Sequence, residues 1–152
     1  MGWVSAKSDP ARIKGYKGHE LEWNDDLKEA KSNSNSYTAN IDSSSVKLFE
    51  KFIIECINKD IGITLVYAPG YIEGQPYVKN RKSVIAQFQY FSDKYNLDFI
   101  DYSKDEICFQ KKLFYNSGHL NKNGSEMFTN KLTNDLKVRT NNQIVGFENS
   151  IN

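Results

Sequence analysis

The segment Ile61–Ala68 constrains the fold of this chain more than any other, because it is apolar almost without interruption and rich in β-branched residues. The dipeptide Pro69-Gly70 ends it. A strand that is apolar at consecutive positions needs cover on both faces, which is typical of parallel sheets with helices on either side. The segment therefore predicts a central parallel strand of an α/β protein.

Helical patterns lie on both sides of this strand. Before it, Asp42 opens a cluster of N-cap residues, and apolar residues then recur at helical spacing to about Asn58. After it, residues 80–95 show a second helical pattern, and Leu97–Tyr102 has the composition of a short strand. The order helix, strand, helix, strand favours right-handed βαβ connections. It predicts a three-layer α/β/α fold with a small, mostly parallel sheet. Such a fold corresponds to an incomplete half of a flavodoxin-like domain.

The segments outside these elements set the limits of the domain. Residues 1–41 lack a sustained period and end in a polar tract of Ser and Asn, so they are predicted to be an irregular segment and connector. Residues 42–138 are predicted to form the α/β domain, with a last helix that begins near Asn121 or Asn123. The polar segment 139–152 is expected to fray. A length of 152 residues allows one such domain.

Charge and hydropathy exclude two classes of partner. Twenty Lys plus Arg residues against nineteen Asp plus Glu residues leave a net charge of +1, which lacks the basic footprint of proteins that bind nucleic acid or anionic lipid. No apolar run approaches the roughly 20 residues needed to span a bilayer. We therefore expect neither nucleic acid nor a membrane as a partner. No signal peptide is visible at Met1, and the compartment stays unknown because a segment upstream could carry one.

The cysteines and histidines do not form a cofactor or metal motif. The two cysteines, Cys56 and Cys108, lie in apolar patterns and are predicted to be reduced packing residues. The two histidines, His19 and His119, have only scattered carboxylates around them, without the spacing of a metal site. No metal or other cofactor is predicted.

The most informative segment is Phe114–Gly124, which places His119 just before the last helix and beyond the end of a strand. Sites in open α/β sheets form at that edge. His119 is therefore expected to be at least partly exposed in a cleft there, and Asn116, three residues back across the turn, is expected to contact its imidazole. The pattern His-Leu-Asn-x-x-Gly, here His119 to Gly124, resembles the final block of the SGNH/GDSL hydrolase superfamily, in which Asp-x-x-His supplies two members of a Ser-His-Asp triad. The resemblance covers about residues 43–137. It implies a serine hydrolase of the esterase or acyl-processing class, acting on a small-molecule or carbohydrate ester, with His119 and Asn116 as catalytic residues.

The sequence departs from the family pattern at several positions. Asn116 stands where the family has Asp, and changing Asp to Asn in a serine triad costs about 10⁴ in turnover. No Gly-Asp-Ser block occurs in the chain. The resemblance therefore implies the C-terminal part of a hydrolase, inactive alone because the nucleophilic serine is missing. Ser117 is predicted to have only a turn role, and Asp101 is either a substitute triad carboxylate or a loop cap.

A weaker resemblance concerns the segment Trp23–Asp26. Its sequence Trp-Asn-Asp-Asp is similar to the family's Gly-x-Asn-Asp block, whose Asn helps to bind the oxyanion, although Glu22 stands where the glycine would be. The segment also lies in the order along the chain that the family has. It marks Asn24 as a candidate oxyanion ligand.

Two interpretations without catalysis stay open. In the first, the α/β scaffold binds a ligand, such as a carbohydrate, on a rim of tyrosines formed by Tyr67, Tyr71, Tyr77 and Tyr90. In the second, the chain is a scaffold that forms homo-oligomers, since a sheet of few strands has open edges that invite pairing with another copy. For an isolated loop histidine, capping or packing against a helix is the common role, and the surrounding motif favours catalysis for His119.

Overall fold

The structure is a computed structural model that describes the backbone of residues 21–151 and the side chains of residues 21–140. Its helices are α1 (Asp26–Ser32), α2 (Ser43–Ile57), α3 (Arg81–Tyr95) and α4 (Lys122–Ile151). Its strands are β1 (Thr64–Tyr67), β2 (Asp98–Asp101), β3 (Phe114–Asn116) and β4 (His119–Leu120). Short 3₁₀ helices occupy Gln75–Tyr77, Glu106–Phe109 and Lys111–Leu113. The chain has a mixed α/β fold.

Strands β1 and β2 form a parallel pair, in which Leu65 lies opposite Phe99. This confirms the parallel pairing predicted from the helix-strand-helix-strand order. The expectation of a central strand is wrong for the described part of the chain, because β2 is the only strand beside β1 there. With one edge open, only Leu65 of β1 is buried, and the other three residues are half-buried.

Helices cover both faces of this strand pair. On one face, Ile53 of α2 and Phe91 of α3 pack on Leu65 in a buried apolar cluster. Residues on the opposite face contact α4: Asp98 pairs with Arg139 at 3.4 Å, and the Tyr102 hydroxyl donates to the Asp135 carboxylate at 2.7 Å. The result is the predicted three-layer α/β/α arrangement on a small parallel sheet.

A second apolar cluster lies under the hairpin that β3 and β4 form. Its buried members come from α1, the loop after β1, the 3₁₀ helices and β3: Leu27, Tyr71, Ile107, Leu113 and Phe114. This cluster explains why a helix occurs within the segment 1–41, which the sequence predicted to be irregular. Helix α1 has seven residues and buries one apolar side chain, that of Leu27. It is therefore too short to show a helical period of apolar residues.

The last helix extends into the segment 139–152. Helix α4 continues to Ile151 and so includes most of the segment 139–152, where the sequence predicted fraying. Arg139 is held by its ion pair with β2, and the Thr140 hydroxyl donates to the Leu136 carbonyl at 3.0 Å. Residues 139–152 contain no proline, and their only glycine is Gly146. Nothing in the local sequence therefore ends the helix near residue 139.

Replacing Gly124 with alanine tests the packing of α4 against the hairpin. An ideal Cβ at Gly124 lies only 2.0 Å from the carbonyl oxygen of Leu113, a backbone atom, so the helix or the preceding 3₁₀ turn has to move. We expect Gly124→Ala to lower the free energy of unfolding by about 1–3 kcal/mol, as overpacked sites do, although alanine is the better helix former. Urea unfolding followed by circular dichroism measures the change.

The matched control is Gly62→Ala, because a Cβ there has no atom within 4 Å. This variant should keep the stability of the unmodified chain or gain a few tenths of a kcal/mol, about what reduced freedom of the unfolded chain contributes. Equal stability of the two variants would show that the contact between Gly124 and Leu113 is not tight.

Candidate functional site

The site is built on the hairpin that β3 and β4 form, whose turn spans Asn116 to His119. Phe114 anchors the hairpin in the second apolar cluster with 1% of its surface exposed. At the turn, the Ser117 carbonyl accepts a hydrogen bond from the Tyr71 backbone N–H at 2.9 Å. Because Tyr71 lies in the loop that follows β1, the turn sits at the C-terminal end of the parallel strands. The sequence predicted this edge.

Close contact with the loop after β1 fixes the turn further. An ideal Cβ at Gly74 lies 2.3 Å from the Ser117 Cβ and 3.0 Å from its hydroxyl oxygen. Only a glycine at this position lets the turn approach so closely. The Ser117 side chain packs against Gly74, which agrees with the turn role predicted for it.

His119 and Asn116 are brought together as the sequence analysis expected. The His119 Nδ1 and the Asn116 Oδ1 are 2.9 Å apart, and Oδ1 also accepts the Gly118 backbone N–H at 3.0 Å. Since a backbone N–H can only donate, the side-chain atom facing it must be the amide oxygen. The same oxygen then requires a proton on Nδ1. In the neutral imidazole this arrangement leaves the lone pair on Nε2, which is the form that a general base needs.

The surroundings of the imidazole are open and aromatic. The His119 ring is exposed and stacks on the Tyr115 ring, with centroids 5.5 Å apart and an angle of 16° between the planes. It belongs to the two-residue strand β4 and not to a loop as the sequence predicted. The strand forms by pairing with β3, and with two residues it is too short to show a period of apolar residues in the sequence.

The side chains described in the structure supply no nucleophile to His119. Among residues 21–140, the His119 ring forms a hydrogen bond with Asn116 and none with a hydroxyl or thiol. The Cys108 thiol is buried and donates to the Tyr102 carbonyl at 3.1 Å, and burial raises the pKa of that thiol. Cys56 is buried too, so both cysteines are packing residues as predicted.

Two further candidate site residues, Asp101 and Asn24, have different surroundings. The Asp101 carboxylate accepts the Ser103 backbone N–H at 2.8 Å and so caps the loop after β2. Asn24 lies beside the hairpin, because its backbone N–H donates to the Tyr115 carbonyl at 2.8 Å. Its side-chain amide donates to the Asp26 carboxylate at 2.8 Å. The candidate oxyanion segment is therefore next to the strand that leads to Asn116.

A cavity of about 360 Å³ opens beside the turn, at the C-terminal end of β1. Two of the four tyrosines predicted to form a rim, Tyr67 and Tyr77, line it. Tyr71 is buried and donates to Glu73, and Tyr90 lies on α3 beside Lys94. Tyr37, from the polar connector, lines the cavity as well, and the sequence analysis missed it.

His119 lies next to this cavity and not within it. Its neighbours Ser117 and Gly118 line the cavity, whereas His119 does not line it and is exposed. The sequence predicted that His119 lies in a cleft, but only its neighbours in the turn line this cavity. The reason is the stacking on Tyr115, which turns the ring toward the hairpin surface.

Within the described residues, no cluster of three or more His, Cys, Asp or Glu side chains could hold a metal ion. In the same part of the chain, no helix combines the length and the apolar character needed to cross a membrane.

The tautomer of His119 is a direct test of this geometry. We expect the neutral imidazole to carry its proton on Nδ1, because Asn116 Oδ1 accepts from that atom. The ¹⁵N chemical shifts of the ring nitrogens report the tautomer, and Asn116→Ala should remove the preference. Asn130→Ala, at an exposed position of α4, is the matched control. A proton on Nε2 in the unmodified chain would contradict the arrangement.

No protein-family model, curated protein or solved structure matches this chain. The likeness to the SGNH/GDSL hydrolases therefore remains a resemblance carried by the motif from His119 to Gly124.

Proposed function

We propose that this chain is the C-terminal part of an SGNH-type serine hydrolase of the esterase or acyl-processing class. The observation that carries the proposal is the 2.9 Å contact between His119 Nδ1 and Asn116 Oδ1 on a turn fixed to the end of a parallel strand. A base that is held at Nδ1 and free at Nε2 is what acyl hydrolysis by a serine requires. The substrate class is a small-molecule or carbohydrate ester.

In the proposed reaction, His119 Nε2 takes the proton of a serine hydroxyl as that oxygen attacks the ester carbonyl. The imidazolium then returns the proton to the leaving alcohol. Asn116 keeps the ring in one tautomer, as asparagine does in papain-like triads. A neutral amide stabilises the imidazolium less than a carboxylate does, so catalysis with Asn116 is weaker than with an aspartate.

The proposal assigns the nucleophile to polypeptide outside these 152 residues. No Gly-Asp-Ser block occurs in the sequence, both cysteines are buried, and the Ser117 side chain packs against Gly74. A base without a nucleophile leaves the chain inactive by itself. Asn24, beside the hairpin, is the residue we assign to the oxyanion in the assembled enzyme.

A binding domain without catalysis is the second candidate function. The cavity lined by Tyr37, Tyr67 and Tyr77 favours it, because ligand binding there needs no nucleophile. The open edge of β1 also favours association with another copy. Light scattering in solution tests that association directly, and a monomer at micromolar concentration would argue against it.

The purified chain should not hydrolyse short-chain aryl esters faster than its His119→Ala variant, because the described part of the chain places no nucleophile at His119. A fluorophosphonate probe, which labels activated serines, should leave the chain unlabelled by mass spectrometry. Turnover well above that of the His119→Ala variant, or a labelled serine, would overturn the assignment of the nucleophile to another polypeptide.

The positive test joins this chain to the polypeptide encoded directly upstream of Met1. We expect that product to hydrolyse aryl esters, to lose activity in His119→Ala and to gain turnover in Asn116→Asp. The gain should be large, since exchanging Asp and Asn in a serine triad changes turnover by up to about 10⁴. Asn130→Asp adds the same charge on the exposed side of α4 and should change nothing. An unlabelled, inactive product would contradict the hydrolase proposal.

A further inference from the structure

The cavity beside the turn has the size and walls of a small-ligand site. Its volume of about 360 Å³ falls within the range of roughly 300–1,000 Å³ that such sites occupy. The rings of Tyr37, Tyr67 and Tyr77 line it. Tyr67 and Tyr77 are half-buried, so each keeps part of its ring accessible. Aromatic walls of this kind suit a ligand that itself contains a ring.

One charged side chain that lines the cavity, Arg81, is held in place by a neutral neighbour. The Arg81 Nη2 donates to the Gln75 Oε1. The Gln75 Nε2 in turn donates to two carbonyls, that of Gly70 at 3.0 Å and that of Ser103 at 2.7 Å. Since both donors of the Gln75 amide are used on carbonyls, its oxygen must face the guanidinium. The guanidinium is thus oriented through one nitrogen, and within residues 21–140 its other N–H groups make no further hydrogen bond.

Arg81 lacks a counter-ion in the described part of the chain. None of the ion pairs among those residues includes Arg81. Two carboxylates lie nearby without forming an ion pair with it: Asp26 also lines the cavity and accepts from the Asn24 amide, and Asp101, whose charge acts on Tyr67, accepts from the Ser103 N–H. A half-buried guanidinium without a carboxylate favours an anionic ligand, which it can hold by two parallel hydrogen bonds.

The hydroxyl of Tyr67 adds a neutral donor near this charge. Burial raises the pKa of Tyr67, and the positive charge of Arg81 acts against that rise. With a pKa above its ordinary value, the phenol keeps its proton at neutral pH. It therefore donates a hydrogen bond and adds no negative charge that would repel an anion.

We propose that this cavity binds a small carboxylic acid carried on a ring, with the carboxylate on Arg81 and the ring against the tyrosines. The ring belongs either to an aromatic acid or to a sugar acid, which share the carboxylate chemistry. Binding involves no covalent step and no nucleophile. The proposal therefore stands independently of the hydrolase function.

The test is a titration of the full chain, followed by NMR, with two matched pairs of probes. Benzoate is compared with benzamide, and glucuronate with glucose, so that each acid has a neutral partner of similar shape. We expect one acid to bind at least about tenfold more tightly than its neutral partner, which is what a charge-assisted pair contributes. The pair that responds identifies the ring. If neither acid binds, or if the neutral partners bind equally well, the proposal is wrong.

Three variants assign the effect to Arg81. Arg81→Gln should abolish the preference for the acid, and Arg81→Lys should weaken it while keeping the charge. Lys82→Gln removes a charge from the next, exposed residue, which does not line this cavity, and should leave binding unchanged. Thermal melts check that each variant folds, and Arg81→Lys carries the test if Arg81→Gln does not. Equal losses in the Arg81 and Lys82 variants would overturn the proposal.

His119→Ala separates this result from the proposed hydrolase function. The imidazole lies outside the cavity, so the variant should bind the acid as the unmodified chain does. A loss of binding in His119→Ala would place the ligand at the imidazole and contradict the assignment to Arg81.

Discussion

The position of the hairpin depends on a pair of backbone hydrogen bonds from the loop that follows β1. The loop after β1 donates through Tyr71 N–H to the Ser117 carbonyl and through Ile72 N–H to the Cys108 carbonyl, each at 2.9 Å. Tyr71 itself belongs to the cluster under the hairpin, whereas Leu65, a few residues earlier, belongs to the cluster under the sheet. These bonds therefore position the hairpin relative to the parallel strands. The histidine, the tyrosine-lined cavity and the start of α4 all take their places from them.

Helix α4 connects the same two regions from the outside. Near its start, Asn121 donates its backbone N–H to the Leu113 carbonyl and caps the helix by accepting the Gly124 N–H. Farther along, Asp135 and Arg139 contact the strand side of the molecule. These contacts tie α4 both to the hairpin region and to the strand pair. Phe128 of α4 also packs against the cluster under the hairpin, so apolar and polar contacts together hold the described part of the helix.

Sequence reasoning was accurate where local signals are strong. Helix α2 begins where Asp42 was expected to cap it, and the Asp42 carboxylate accepts the Ser45 N–H at 2.8 Å. The contact of His119 with Asn116 was also predicted, because the two are three residues apart in a motif with a defined turn. Their catalytic role stays a prediction. Helix α1 and the β3–β4 hairpin were not predicted, because elements this short have no period. The Arg81 cavity was not predicted either, since Tyr37 and Arg81 meet only when distant loops pack together.

The side-chain oxygen of Asn116 accepts hydrogen bonds from both the Gly118 N–H and the imidazole. This shared acceptor has an evolutionary consequence. A carboxylate oxygen has the same shape and accepts the same two donors, so aspartate fits this turn without any change of backbone. The codons for the two residues differ by one base. A lineage carrying this turn can therefore exchange a charged orienting group for a neutral one, in either direction, while the fold is conserved. The hairpin can therefore hold the imidazole in the same place with either residue at position 116.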